Sequence, residues 1–299
     1  MLFVLSRDGD CSAIFKHAYP EWIFRFPTRF GSLISMKKIS LKRISFLPWY
    51  MAGAILLAPV VSARAAEADL SVSLGAEYTT GSYGTSTDTN IWYFPVMMKY
   101  QTAADSLALT VPYVSLDGNG SVVAGDRAMR RTVPTSSGRQ TNSGLGDIVL
   151  AGSHKLFETD SSRMDLTGKI KFGTANEKDN LGTGEDDVSV QLDMEKYLDS
   201  NSVYGTVGYK ILGDPPGINF KNVLYGSLGL AHKLDAADTA GIEWYAQEAT
   251  ISGGPAASEL TLYLSNKVDK KTKVTGYLLK GFSDGSPDWG FGVVLKLTQ

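Results

Sequence analysis

The feature that most constrains this chain is a recurring period of two. Residues 169–197 read KIKFGTANEKDNLGTGEDDVSVQLDMEKY, and both ends alternate around a glycine-rich polar middle. Successive side chains on a strand point to opposite faces, and a Gly/Asn/Asp-rich interval marks a loop, so the stretch reads as a hairpin. Ile170 and Phe172 alternate with Lys169 and Lys171; on the return strand Val188, Val190, Leu192 and Met194 alternate with Asp187, Ser189, Gln191, Asp193 and Glu195. Similar runs recur to the C-terminus, and no segment beyond residue 66 keeps helical periodicity over three turns. The pattern predicts twelve strands, at 70–80, 88–101, 105–117, 144–157, 163–175, 185–197, 202–212, 222–234, 238–250, 257–267, 272–283 and 287–299. Most reach the length of about ten residues that a tilted strand needs to cross a bilayer.

The links carry a second regularity. Those after even-numbered strands are short, such as TAA at 102–104 and LDSN at 198–201, whereas those after odd-numbered strands are mostly long, such as ANEKDNLGTGE and GDPPGINFKN. Short turns at one end, long loops at the other and an even strand count describe an antiparallel up-and-down transmembrane β-barrel, with both termini on the short-turn, periplasmic side. Ile170, Phe172, Val190 and Leu192 then face hydrocarbon, and the charged residues between them face a polar lumen. Trp92, Phe94, Tyr100, Tyr113, Trp244 and Trp289 are candidates for aromatic girdles. The last strand sets Trp289, Phe291, Val293, Leu295 and Leu297 on one face, as a substrate of the barrel-assembly machinery should. The competing fold is a soluble β-sandwich, whose strands alternate in the same way with the polar face outward. The strand at 272–283 fits neither parity, because of Lys273 and Lys280, and a bulge there is one remedy.

The N-terminus points to export. From Met36 the chain has four basic residues, Lys37, Lys38, Lys42 and Arg43, then an apolar run, then Ala63-Arg64-Ala65 before Ala66. This is the layout of a secretory signal peptide over 36–65, cleaved near Ala65; Pro48 and Pro59 interrupt the run and argue against a membrane-spanning helix. Residues 1–35 have no periodic pattern and read as an extension from a mis-assigned start. Residues 66–299 are left as one barrel. The single cysteine, Cys11, lies upstream of the cut, so that barrel has neither disulfide nor thiol nucleophile. A formal net charge of −2 gives no sign of a nucleic-acid partner.

Four segments, SGLGDIVLAG at 143–152, KIKFGTANEKDNLGTGEDD at 169–187, GYKILGD at 208–214 and GFSDGSPDWGFGVVL at 281–295, together resemble the outer-membrane family named for the MetA pathway of phenol degradation. The resemblance implies a transporter in the outer membrane of a Gram-negative bacterium that passes small, aromatic or apolar compounds. One departure is the ending Leu297-Thr298-Gln299, where many outer-membrane barrels end in an aromatic residue.

Catalysis has few candidates. His154 and His232, the two histidines after residue 66, fall on the lipid-side parity near the short-turn end, where an interfacial role suits them better than a place in a lipid hydrolase. Glu185, Asp186 and Asp187 could hold calcium but lack the Asp/Asn spacing of a dedicated loop, and GLGD and LGTG lack the lysine of a phosphate-binding loop. The expectation is therefore no enzyme, no metal and no cofactor, and a passive channel for a small-molecule solute; a lipid hydrolase or a structural, surface-binding barrel is the alternative. Lys169, Lys171, Asp187, Asp193, Glu195, Lys210, Glu243 and Asp147 are expected to line the pore, with Lys169 and Lys171 set against Asp193 and Glu195. The 118–143 loop, with Arg127, Arg130, Arg131 and Arg139, is expected to fold over the mouth, where arginine forks suit anionic solutes or lipopolysaccharide phosphates as readily as plain solvent. Outer-membrane lipid and lipopolysaccharide are the remaining expected partners.

Overall fold

The computed structural model describes residues 68–120, 122–123, 129–130 and 138–299. The 1–35 and 36–65 segments lie outside these residues, as do Arg127 and Arg131. Fifteen strand segments follow one another: β1 (Asp69–Gly81), β2 (Thr89–Gln101), β3 (Asp105–Gly118), β4 (Val122–Val123), β5 (Met129–Arg130), β6 (Gln140–Leu145), β7 (Ile148–Thr159), β8 (Ser162–Phe172), β9 (Asp187–Leu198), β10 (Asn201–Ile211), β11 (Val223–Lys233), β12 (Asp238–Gln247), β13 (Ala257–Lys267), β14 (Thr272–Gly281) and β15 (Trp289–Thr298). β4 and β5 pair only with each other, inside the connection from β3 to β6. β6 and β7 are two halves of one barrel strand, both paired with β3.

The other neighbours pair antiparallel in chain order, and β15 returns to β1, from Ser71 opposite Thr298 to Thr80 opposite Trp289. The result is a closed twelve-stranded antiparallel barrel with no free edge. Among the described residues there is no α-helix, only a single 3-10 turn at Glu177–Asp179.

Tight turns close the hairpins at one end. Asp199 takes the left-handed backbone that a two-residue turn demands, φ 53°, which Asp tolerates better than most residues. At two other turns an aspartate caps the bend: Asp235 Oδ1 accepts the Ala237 and Asp238 N–H groups, each at 2.7 Å. Asp269 Oδ1 does the same for Lys271 and Thr272, at 2.7 and 2.9 Å.

Alternation sorts side chains as a membrane barrel requires. Leu228, Leu262 and Leu278 are 63%, 50% and 60% exposed on the outside, while Ser189, Thr167, Ser265 and Lys171 are buried on the inside. A sandwich would cover the apolar face; here that face is the exterior, which excludes the soluble alternative. Trp92 stacks on Phe94 at 5.7 Å and Trp244 on Phe282 at 5.3 Å, forming part of an outer aromatic band toward the long-loop end.

Three local expectations are corrected. Strand β6 begins at Gln140, inside the stretch expected to be loop, because QTNSGL pairs with β3 above the apolar band and so shows no hydrophobic alternation. Strand β14 is regular against both neighbours. Its lysines are reconciled by position: Lys273 is on the inward parity, and Lys280, on the outward one, reaches the rim with its Nζ 4.5 Å from the Trp289 ring. The bulge lies instead in β7, between Lys155 and Phe157, and lets the consecutive Leu156 and Phe157 both face outward.

Candidate functional site: the lumen

The inward positions form two zones. At the long-loop end, Tyr83, Ile91, Val114, Leu116, Val122, Ala175 and Leu181 make an apolar cluster inside the barrel. Burial pushes the Tyr83 phenol well above its ordinary pKa. Val122 of the 119–139 connection enters this cluster and Val123 beside it is buried, whereas the Arg139 guanidinium donates to both Asp117 oxygens and to the Asp88 carbonyl.

Beside the cluster is a buried charge knot. The Lys171 ammonium is 2.9 Å from Asp147 Oδ2 and 3.2 Å from Asp187 Oδ2, and it also donates to the Glu185 carbonyl at 3.0 Å. The two carboxylates then hold loops: Asp147 accepts the Ala175 N–H at 3.0 Å and Asp187 accepts the Gly213 N–H at 3.1 Å. Gly182 is required here, since a Cβ would lie 2.8 Å from both Asp147 oxygens. Asp186 caps the Gly173 N–H at 2.8 Å. Glu185 is raised above the usual carboxylate range, first by burial and then by the neighbouring charges of Asp186, Glu177 and Asp214.

Below the knot the lumen is polar and roomy. One cavity of about 220 Å³ is lined by Lys169, Lys210, Tyr225, Glu243 and Tyr245 among others. A second, of about 390 Å³, lies between Lys99, Arg163, Asp165, Asp193 and Tyr204, so it reaches across the bore from β2 to β8 and β10. A third, of about 250 Å³, adjoins the short turns and includes Lys233, Tyr263 and Lys273.

One wall of this zone is tiled with tyrosine. Tyr204 faces Gly229, Tyr225 faces Gly208, Tyr263 faces Gly241 and Tyr277 faces Gly292, each directly across a strand pair. A Cβ added at any of these glycines would lie 2.1–2.4 Å from the ring's Cζ, so the rings lie flat over bare backbone. Their hydroxyls are tied along the wall, as in Tyr225 to Gln191 at 2.8 Å.

Seven of the eight expected lining residues lie on the inward parity of their strands and Asp147 is buried in the break between β6 and β7, but their pairing differs from the expectation. Lys171 belongs to the sealed knot with Asp147 and Asp187. Register sets Asp193 opposite Asp165 and Glu195 opposite Arg163, while Lys169 faces Ser189. Asp193 accepts instead from Thr167 at 2.8 Å, Thr206 at 2.6 Å and Gln191 at 2.6 Å, and Asp165 is held by Arg163 Nε at 2.6 Å. Lys210 has its Nζ 5.6 Å from the Tyr225 ring, beside Glu243 in the first cavity. Sequence reasoning missed the tyrosine wall. Its signal was present as inward-parity tyrosines on strands that also carry inward-parity glycines, but only register shows that they coincide. His154 and His232 stand on separate strands, each with its own partner, Asp105 at 2.7 Å and Asn201 at 2.9 Å.

No protein-family model matches the chain, and no curated protein matches it. Among solved structures it is similar to the KdgM porin, at 12% identity and a TM-score of 0.50 over 76% of this chain and 98% of that one. KdgM in complex with disordered oligogalacturonate gives 10% identity, the same TM-score and the same coverage. The CymD monoaromatic hydrocarbon channel follows at 10% identity and a TM-score of 0.40, over 78% and 87% of the two chains. At such identities the KdgM likeness is one of fold, and the CymD likeness is too loose to carry an argument.

Proposed function

We propose that this protein is an outer-membrane channel through which small molecules pass without an energy source. The observation that carries the reading is the pairing of an apolar exterior with a polar, cavity-bearing lumen in one closed barrel. A barrel needs that exterior only in lipid, and a polar interior with open cavities gives water and solute a place to enter. The signal-peptide pattern at 36–65 supports export to the outer membrane of a Gram-negative bacterium, by way of the barrel-assembly machinery. With short turns on the periplasmic side, as in outer-membrane barrels, the long loops stand outside, next to lipopolysaccharide. Membership of the MetA-pathway family, and with it an aromatic or apolar solute, rests on the sequence resemblance. The tyrosine wall gives such a solute a surface to slide along.

The test is conductance of the full chain, purified from the membrane fraction, in a planar bilayer, paired with uptake by cells with and without the protein. Steady openings and faster uptake are expected. An inserted barrel that neither conducts nor speeds uptake of any small solute would return the protein to the structural or surface-binding class.

A further inference from the structure

The short-turn mouth contains an arrangement that a sheet alone would avoid. Lys273 of β14 lies directly opposite Lys267 of β13 on one side and directly opposite Lys296 of β15 on the other. All three are on the inward parity: Lys267 and Lys273 continue the columns of Tyr263 and Tyr277, and Lys296 continues that of Gly292. Like charges directly across a ladder destabilise it. Among the described residues, none of the three forms an ion pair. Neighbouring strands are about 5 Å apart, so the row spans about 10 Å, comparable to the Debye length in 0.1 M salt, and its potentials add. Lys99 of β2 adds a further inward cation, in the cavity that it shares with Arg163 and Asp165. Arg163 is already neutralised by Asp165; Lys267, Lys273 and Lys296 have no such carboxylate among the described residues.

Lipid headgroups do not reach inward positions, so interfacial anchoring does not account for the row. Immediately above it, Ser265 and Thr275 share a hydrogen bond of 2.7 Å, giving hydroxyls that can follow an anion upward. Resting on the channel reading above, though not on its apolar solute, we propose that the short-turn mouth is an anion filter and that the solutes carried are small organic anions bearing carboxylate. Unpaired ammonium groups on flexible stems attract a carboxylate without gripping it in one geometry, as a site that must also release its solute requires.

The experiment is the reversal potential of the full-length protein in a planar bilayer under a potassium chloride gradient, repeated with potassium acetate in place of chloride. The expected result is anion preference at low salt, fading near 1 M, where the Debye length falls to about 3 Å. The acetate current should persist. The K273Q/K296Q variant should lose several-fold of the anion-to-cation permeability ratio, and K273E/K296E should invert the preference. Lys178→Glu, on an exposed loop at the other end, should leave it unchanged. Cation preference in the unaltered protein, variants with unaltered reversal potential, or chloride current without acetate current would each overturn the anion filter and leave the channel standing. A barrel that conducts nothing would overturn the filter, and the channel with it if uptake is unchanged as well.

Discussion

Lys171 and Asp187 face each other directly across the β8–β9 ladder, with Nζ 3.2 Å from Oδ2, and Asp147 from the break between β6 and β7 closes on the same ammonium. Removing the cation leaves two buried carboxylates without compensation. Lys171→Met should therefore cost about 3 kcal/mol or more in urea unfolding followed by tryptophan fluorescence. Adding Asp147→Asn and Asp187→Asn to that variant should restore part of the loss, because the uncompensated charges are then gone. Equal costs for the single and triple variants would mean that packing, not charge, holds the two loops.

Depth in the bilayer sets a second expectation. Leu228→Arg, at the middle of β11, should cost roughly 2–4 kcal/mol, and the cost should fall to about 0–1 kcal/mol for Leu224→Arg near the strand end. Refolding titrations into lipid vesicles measure both. A flat profile would place these leucines in something other than a hydrocarbon slab.

Gly241→Ala tests the tyrosine wall. The new Cβ would meet the Tyr263 ring 2.1 Å from Cζ, whereas at Gly276 there is nothing within 4 Å. Overpacking predicts a loss of about 1–3 kcal/mol at Gly241, a tilted ring and a smaller single-channel current. Gly276→Ala should leave the current alone.

The short turns carry a pH dependence. Backbone N–H groups hold the Asp235 and Asp269 carboxylates below their ordinary pKa. A carboxylate depressed in the folded state adds stability above its unfolded pKa of about 4, and that stability is lost as pH falls through the folded value. Amide protection at 235–238 and 269–272, taken relative to the unstructured exchange rate at the same pH, should fall below about pH 4. Asp269→Asn, which keeps the acceptor oxygen but cannot titrate, should abolish the acid response of its own turn.

Strand number, inside and outside, and the ends of the barrel were legible because parity survives small errors of boundary. Most strand ends match within three residues of the expected ones. Parity says which face a residue takes but not the level at which it meets its neighbour: opposite signs on adjacent strands suggest Lys169 and Lys171 against Asp193 and Glu195, whereas register gives Lys171 Asp187 and Lys169 Ser189. Asp147 was harder still, since its inward turn follows the break at Gly146, and its partner Lys171 lies 24 residues away. Lys280 spoiled a clean alternation in β14 because a long side chain at a strand end can reach the rim from the outward face.

The seam between β1 and β15 has a kinetic consequence. Its ten residue pairs, Ser71 with Thr298 through Thr80 with Trp289, join the two most distant strands of the barrel in sequence, while the other barrel contacts are between chain neighbours. Loop-closure entropy makes such contacts the slowest to form, so the hairpins can zip early but the ring is completed last. Until then both outer strands expose unpaired backbone, and a substitution confined to the seam should be felt first as slow insertion and aggregation rather than as a weakened finished barrel.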